Sequence, residues 1–143
     1  MTAKIKYGCV VFAFIILTSC GANEPRSTAL AEGMCKITIL YPNGEGTTFD
    51  MDYYEKRHMP MVAGLLGDNS KFYEIDTGIA GRTLDSQAPF VAVGYFYVED
   101  VAAYHAAIAQ NRDAIVNDFK NYTDVQPVVQ ISEIKQVVHT GGK

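Results

Sequence analysis

Histidine is scarce in this chain, and its three copies are not spaced to share a metal. His58, His105 and His139 stand far apart, and the only other ligand near His58 on its own stripe is the distant Asp50, so no metal site is expected. The glycine frames that cradle phosphates are missing as well. NGEG at 43–46 has neither GxGxxG nor GK[ST] and reads as a tight turn, so no nicotinamide or flavin fingerprint is present and no cofactor is expected. Basic residues are few, 12 against 16 acidic ones for a net charge of −4. That balance excludes a nucleic-acid-binding surface and electrostatic adhesion to anionic lipid. Long apolar runs are also lacking: YGCVVFAFIIL, the 11 residues at 7–17, is too short to span a bilayer as a resident helix. No internal repeat or low-complexity block interrupts the sequence.

What the N-terminus does contain is an order. Lys4 and Lys6, the short apolar run and then Leu17-Thr18-Ser19-Cys20 make residues 1–19 a secretory signal peptide. The last four residues resemble the lipobox of bacterial lipoproteins, which implies cleavage before Cys20 and lipidation of its thiol. Several acyl chains at about 0.8 kcal/mol per buried methylene make such an anchor effectively permanent. Residues 20–33 read as a lipidated tether, small, polar and aperiodic, holding a domain at 34–143 outside the cytoplasm on the cell envelope. Loss of Lys4 and Lys6 leaves 10 basic residues against 16 acids, a net charge of −6. Cysteine use follows: Cys9 leaves with the signal, Cys20 carries lipid, and Cys35 has no partner for a disulfide. Cys35 is expected as a small buried residue at a strand start.

Hydrophobic periodicity divides the remaining domain. MCKITILY (34–41), KFYEIDTGIAG (71–81), PFVAVGYFYVE (89–99) and PVVQISEIKQVV (127–138) read as strands. Residues 49–66 have helical spacing, and Asp100 caps a second, alanine-rich helix to about Asn117, with Val101, Tyr104, Ile108 and Ile115 along one stripe. The order β-α-β-β-α-β is that of a ferredoxin-like sandwich in the α+β class.

The third strand is apolar on both faces, with Val91, Val93, Tyr95 and Tyr97 on one and Phe90, Ala92, Phe96 and Val98 on the other. Two helices cover one face of a four-stranded sheet. The other, roughly 400 Å², is at the limit of what monomers leave exposed, and covering it contributes on the order of 5 kcal/mol. A homodimer meeting sheet to sheet is expected. Thr38, Glu74, Asp76, Gln130 and Ser132 alternate with Ile37, Ile39, Ile75, Ile79 and Ile131. If the isoleucines pack on the helices, the polar set faces the space between two sheets, either as a small-molecule site using Thr38 and Asp76 or as a wet interface.

FDMDYYEKRHMP at 49–60 concentrates the chemistry. Thr48 or Asp50 caps the helix, and Asp50 and Asp52 offset its positive end. Tyr53 and Arg57, four apart, are expected to pair on the outer face. Tyr54 and His58, also four apart, begin an inward stripe continued by Val62 and Leu65. Pro60 is expected to break or kink the helix beside His58, leaving open carbonyls that favour the protonated imidazole. An imidazole so placed serves as general acid or base near neutral pH, and the alternative is a satisfied core histidine.

The stretch 37–62, above all F-D-x-D-Y-Y-x-x-x-H-M-P, together with NYTDVQPVVQISE at 121–133, resembles EthD-domain proteins of the dimeric α/β-barrel superfamily. The resemblance covers residues 34–138. It implies a ferredoxin-like protomer dimerising through its sheet and a pocket between sheet and helices to which Tyr54 and His58 contribute. Members are commonly labelled oxidoreductases, and the wider superfamily includes isomerases, cyclases and monooxygenases that often work without metal or bound cofactor. A lipid anchor is a departure that would put cytoplasmic redox partners out of reach. Two functions are therefore expected in parallel. One is an enzyme acting on a small hydrophobic organic molecule, with His58 as acid/base and Tyr54 and Tyr53 orienting the ligand. The other is a non-catalytic dimeric module binding such a ligand at the envelope.

Overall fold

Alternating apolar residues place the first strand in the middle of a sheet. In a computed structural model, which describes residues 30–138, β1 (Cys35–Pro42) pairs on one side with β3 (Phe90–Val98) and on the other with β4 (Val128–Glu133). β2 (Ser70–Thr77) pairs with β3. The sheet is antiparallel in the order β2-β3-β1-β4, the α+β ferredoxin-like arrangement expected. The signal, Cys20 and most of the tether lie outside the described residues. Gly33, at φ 83°, already donates to the Ile134 carbonyl, so the folded unit begins within the last residues assigned to the tether. No helix among the described residues is long and apolar enough to cross a membrane.

The expected strands are recovered with trimmed ends. β2 stops at Thr77, and Ile79, expected to pack on the helices, is 90 % exposed beyond it. β4 stops at Glu133, short of the predicted 138.

The first helix, α1, spans residues 51–66 without a break. It begins α-helical at Met51–Tyr53, widens to π-helical at Tyr54–His58, and returns to α-helical at Met59–Leu66. Asp50 is its cap, accepting from the Tyr53 amide at 3.0 Å. Pro60 lacks an amide hydrogen and would clash with the carbonyl four residues back, which is why a break was expected. The wider turn, closed by the Met59 amide on the Tyr54 carbonyl, relieves that clash and keeps the axis running. The buried stripe is then Tyr54, His58, Met59, Val62 and Leu66, with Leu66 rather than Leu65 closing it.

The second helix, α2, spans residues 101–118 as Val101–Gln110 and Arg112–Asp118, interrupted at Asn111 (φ −110°, ψ 16°). Asp100 caps it, accepting from the Ala103 amide at 2.7 Å. A 3₁₀ turn at Phe119–Asn121 then swings the chain back over α1.

Both helices lie on one face of the sheet. Ile37, Tyr41, Ala92, Phe96 and Val98 meet them there and form the core with the α1 stripe, Tyr104 and Tyr122. The opposite face carries Thr38 beside Tyr95, Glu74 beside Tyr95, Lys36 beside Tyr97, and Asp76 beside Val93. On it Tyr97 stacks on Phe72 at 4.2 Å and donates to Glu74 at 2.7 Å.

Candidate functional site

The helix-side core is built around tyrosine. Tyr41 from β1, Phe49 ahead of α1, Tyr54 from α1 and Tyr122 beyond α2 meet mostly edge to face, with centroids 4.9–5.9 Å apart. Such contacts add to the burial energy of large rings. The segment bearing Tyr122 is tied down on both sides. The Asp50 amide donates to the Tyr122 carbonyl at 2.7 Å, and Thr123 Oγ1 donates to the Thr48 carbonyl at 3.0 Å.

Tyr54 is fully buried, stacked on His58 at 5.6 Å, and its hydroxyl has no hydrogen-bond partner among the described residues. That hydroxyl sits directly over Gly94 of β3, where any Cβ would collide with it. Burial pushes the phenol pKa up. Expected to orient a ligand, Tyr54 instead stands behind His58 as a core ring.

His58 is 4 % exposed and satisfied at both nitrogens. Nδ1 lies 2.8 Å from Asp118 Oδ2, and Nε2 lies 3.2 Å from the Tyr122 hydroxyl, which is itself 2.8 Å from the Tyr41 hydroxyl. Burial lowers the imidazole pKa below 6.5, and the Asp118 carboxylate pulls it only part of the way back. The ring is therefore neutral at pH 7. A carboxylate accepts only, so Nδ1 carries the hydrogen and Nε2 accepts from Tyr122. The expected push toward the protonated form is overturned for a physical reason. The helix does not end at His58, so no open carbonyls gather there, and desolvation prevails.

Asp118 is the hub. Besides His58 it accepts from the Tyr53 hydroxyl and from Asn121 Nδ2, both at 2.8 Å on Oδ1, and Asn121 Nδ2 also lies 3.1 Å from the Tyr53 oxygen. Burial alone would raise its pKa, but hydrogen bonds from His58, Asn121 and Tyr53 together hold it below the usual carboxylate value. Tyr53 thus turns toward the site rather than pairing with Arg57 on the outer face.

A cavity of about 360 Å³ opens beside this network, between the sheet and α2. Tyr41 and His58 lie in its wall with Ile39, Val62, Phe96 and Ile108, and Arg112 and His105 stand at its α2 side. Thr38 and Asp76 are not part of it. Both lie on the other face of the sheet, where burial and Asp76 push the Tyr95 phenol up. The structure brings together His58 and Tyr53, sets Tyr54 behind them, and separates Thr38 and Asp76.

Asp118, Asn121, Tyr122 and Tyr41 were not among the expected site residues. One local signal did point to Asp118: a carboxylate in the last turn of a helix opposes the dipole, and a residue so placed needs another reason to be there.

Comparison with known proteins agrees with this architecture. The EthD domain family model matches residues 44–126. No curated protein matches the chain. Among solved structures, an EthD-like protein from Ralstonia eutropha JMP134 is 40 % identical, with 72 % of this chain and 93 % of that one covered and a TM-score of 0.68. An ethyl tert-butyl ether D (EthD) family protein from Bacillus halodurans C-125 is 16 % identical over 70 % and 97 % of the two chains, TM-score 0.53. A protein from Arabidopsis thaliana is 12 % identical over 74 % and 99 %, TM-score 0.50. The last two speak to the fold alone.

Proposed function

The chain belongs to the EthD domain family, and from that premise we propose that it is an enzyme that moves a proton on a small hydrophobic organic molecule, with His58 as the base. One observation carries the reading: an imidazole fixed by a carboxylate lies in the wall of an apolar cavity. Nε2 is the basic atom, and its 3.2 Å bond to Tyr122 is the longest in the network, hence the one most readily exchanged for a substrate. A proton taken from a carbon beside a carbonyl would give an imidazolium facing Asp118. The released Tyr122 hydroxyl, supported by Tyr41, would donate to the oxyanion. Tyr53 and Asn121 act one step back by holding Asp118. The chemistry fits an isomerase or cyclase; an oxidoreductase would use the same base ahead of electron transfer.

A non-catalytic binding module is the second reading, favoured by the fact that Tyr122 already satisfies Nε2. His58→Gln separates the two in a screen of cyclic carbonyl compounds. Binding kept and turnover lost supports the enzyme, whereas no turnover by the unaltered protein supports the module.

Two further parts of the proposal concern assembly and place. A second copy covers the open sheet face, where Val91, Val93 and Tyr95 are only half-buried. Sedimentation equilibrium is expected to give the mass of two chains, and Val93→Glu, which sets a new carboxylate beside Asp76, the mass of one. A single-chain mass before substitution would remove this part. Cys20 anchors the domain to the envelope membrane. Expressed with its signal, the protein is expected in the detergent phase of a phase-partition assay and Cys20→Ser in the aqueous phase; equal partitioning counts against the anchor.

A further inference from the structure

We infer that the cavity's ligand is an anion, a small one- or two-ring carboxylic acid whose carboxylate pairs with Arg112 while its ring system occupies the apolar interior. The inference rests on the cavity being the ligand site. Its wall contains no carboxylate, and its single permanently charged side chain is a guanidinium. In a chain with 16 acids against 12 basic residues, an acid-free lining around a lone arginine is a selective arrangement.

Arg112 is also available. The ion pairs among the described residues are Lys56–Asp52, Lys71–Glu99 and Lys135–Glu133, and neither these nor the His58–Asp118 hydrogen bond involves Arg112. It opens the second segment of α2, directly after the interruption at Asn111, and is solvent-exposed. His105 lies seven residues earlier, two turns back on the same side of the helix, with Ile108 between them. The α2 side of the cavity is thus an apolar stripe flanked by donors. A guanidinium offers two parallel N–H groups that match a carboxylate, and at a partly wet rim it need not be desolvated to do so.

Size sets the rest of the class. About 360 Å³ is near the lower end of ordinary ligand cavities, which run from ~300 to 1,000 Å³, so one or two rings fill it. Asp118, which fixes His58, lies six residues beyond Arg112 on the same helical segment, about 9 Å along the axis at 1.5 Å per residue. Arg112 and His58 both line the cavity, so a carboxylate held by Arg112 leaves its ring system in the space the imidazole borders. The acid's charge would serve position, not reaction.

The test compares 1-naphthoate with its neutral isostere 1-naphthamide by isothermal titration of the full chain, beside Arg112→Gln, Arg112→Lys and Ala109→Trp. Ala109 is an exposed member of the lining, so tryptophan there obstructs the cavity without entering the core. The expected result is at least tenfold tighter binding of naphthoate. Arg112→Gln should abolish that preference while leaving naphthamide affinity unchanged, Arg112→Lys should restore part of it, and Ala109→Trp should weaken both ligands. Equal affinity for the two ligands, blocked by Ala109→Trp, overturns the anion and leaves the cavity standing. Naphthoate binding untouched by both Arg112→Gln and Ala109→Trp, or no binding of either ligand, overturns the anion and the cavity together.

Discussion

Gly94→Ala is expected to destabilise the domain by about 3 kcal/mol or more, lowering Tm by more than ~10 °C. Gly94 sits in the middle of β3, paired with Ile39 on one side and Ile75 on the other, so its backbone is held from both directions. A methyl group there would overlap the Tyr54 hydroxyl and touch the Met59 side chain at 3.3 Å. The tyrosine cannot swing aside, because Tyr41, Phe49, His58 and Tyr122 enclose its ring. Tyr54→Phe alone is expected to be neutral or to stabilise by up to ~1 kcal/mol, since it removes a buried hydroxyl that has no partner among the described residues. Combined with Gly94→Ala it should recover most of the loss, a coupling of roughly 2 kcal/mol in a double-mutant cycle. Additive effects in urea denaturation would show that the collision is not what makes glycine necessary at this point.

The same pair illustrates what local sequence conveys. Residues 54 and 58 announce a shared inward stripe through their spacing alone, and the strand alternation sorts Val93 and Tyr95 from Ala92 and Phe96 without any tertiary information. That Gly94 must be small depends on a ring arriving from a helix 40 residues earlier. No period reports that. Pro60 shows a different limit: its chemistry correctly signals trouble in the helix, but the chain has two remedies, a break or a wider turn, and the surrounding packing selects between them. The pairing of His58 with Asp118 and Tyr122 spans 60 and 64 residues. Only the fold of α2 back over α1 creates it. Thr38 and Asp76 were legible as members of one sheet face, and that face proved to be the one turned away from His58.

Acid should reveal the His58–Asp118 pair. The folded pKa of His58 lies below the unfolded value of 6.5, so as pH falls through 6.5 the unfolded chain takes up a proton that the native ring refuses. Stability present above pH 6.5 is thus lost on going down, until the folded ring also protonates. Asp118 acts in a lower window. Its folded pKa lies below 3.8, and the stability it contributes above that pH is lost as pH falls through the folded value. In urea denaturation from pH 8 to pH 4.5, His58→Gln is expected to flatten the slope below pH 6.5, while the Asp118 window, below pH 3.8, lies outside that range. Asp118→Asn should do the opposite: without the carboxylate that pulls the imidazole back up, the folded pKa drops further and the loss below pH 6.5 extends over a wider range. If the site is an active one, Asp118→Asn also cuts turnover by about 10²- to 10⁴-fold, because an amide can turn its own N–H toward Nδ1 and move the hydrogen to Nε2, the atom required as base. Nitrogen shifts of the ring distinguish the two tautomers directly. A native ring carrying its hydrogen on Nε2 would contradict the assignment of Nε2 as the base, and a stability profile that His58→Gln leaves unchanged between pH 4.5 and 6.5 would contradict burial as the force that keeps this imidazole neutral.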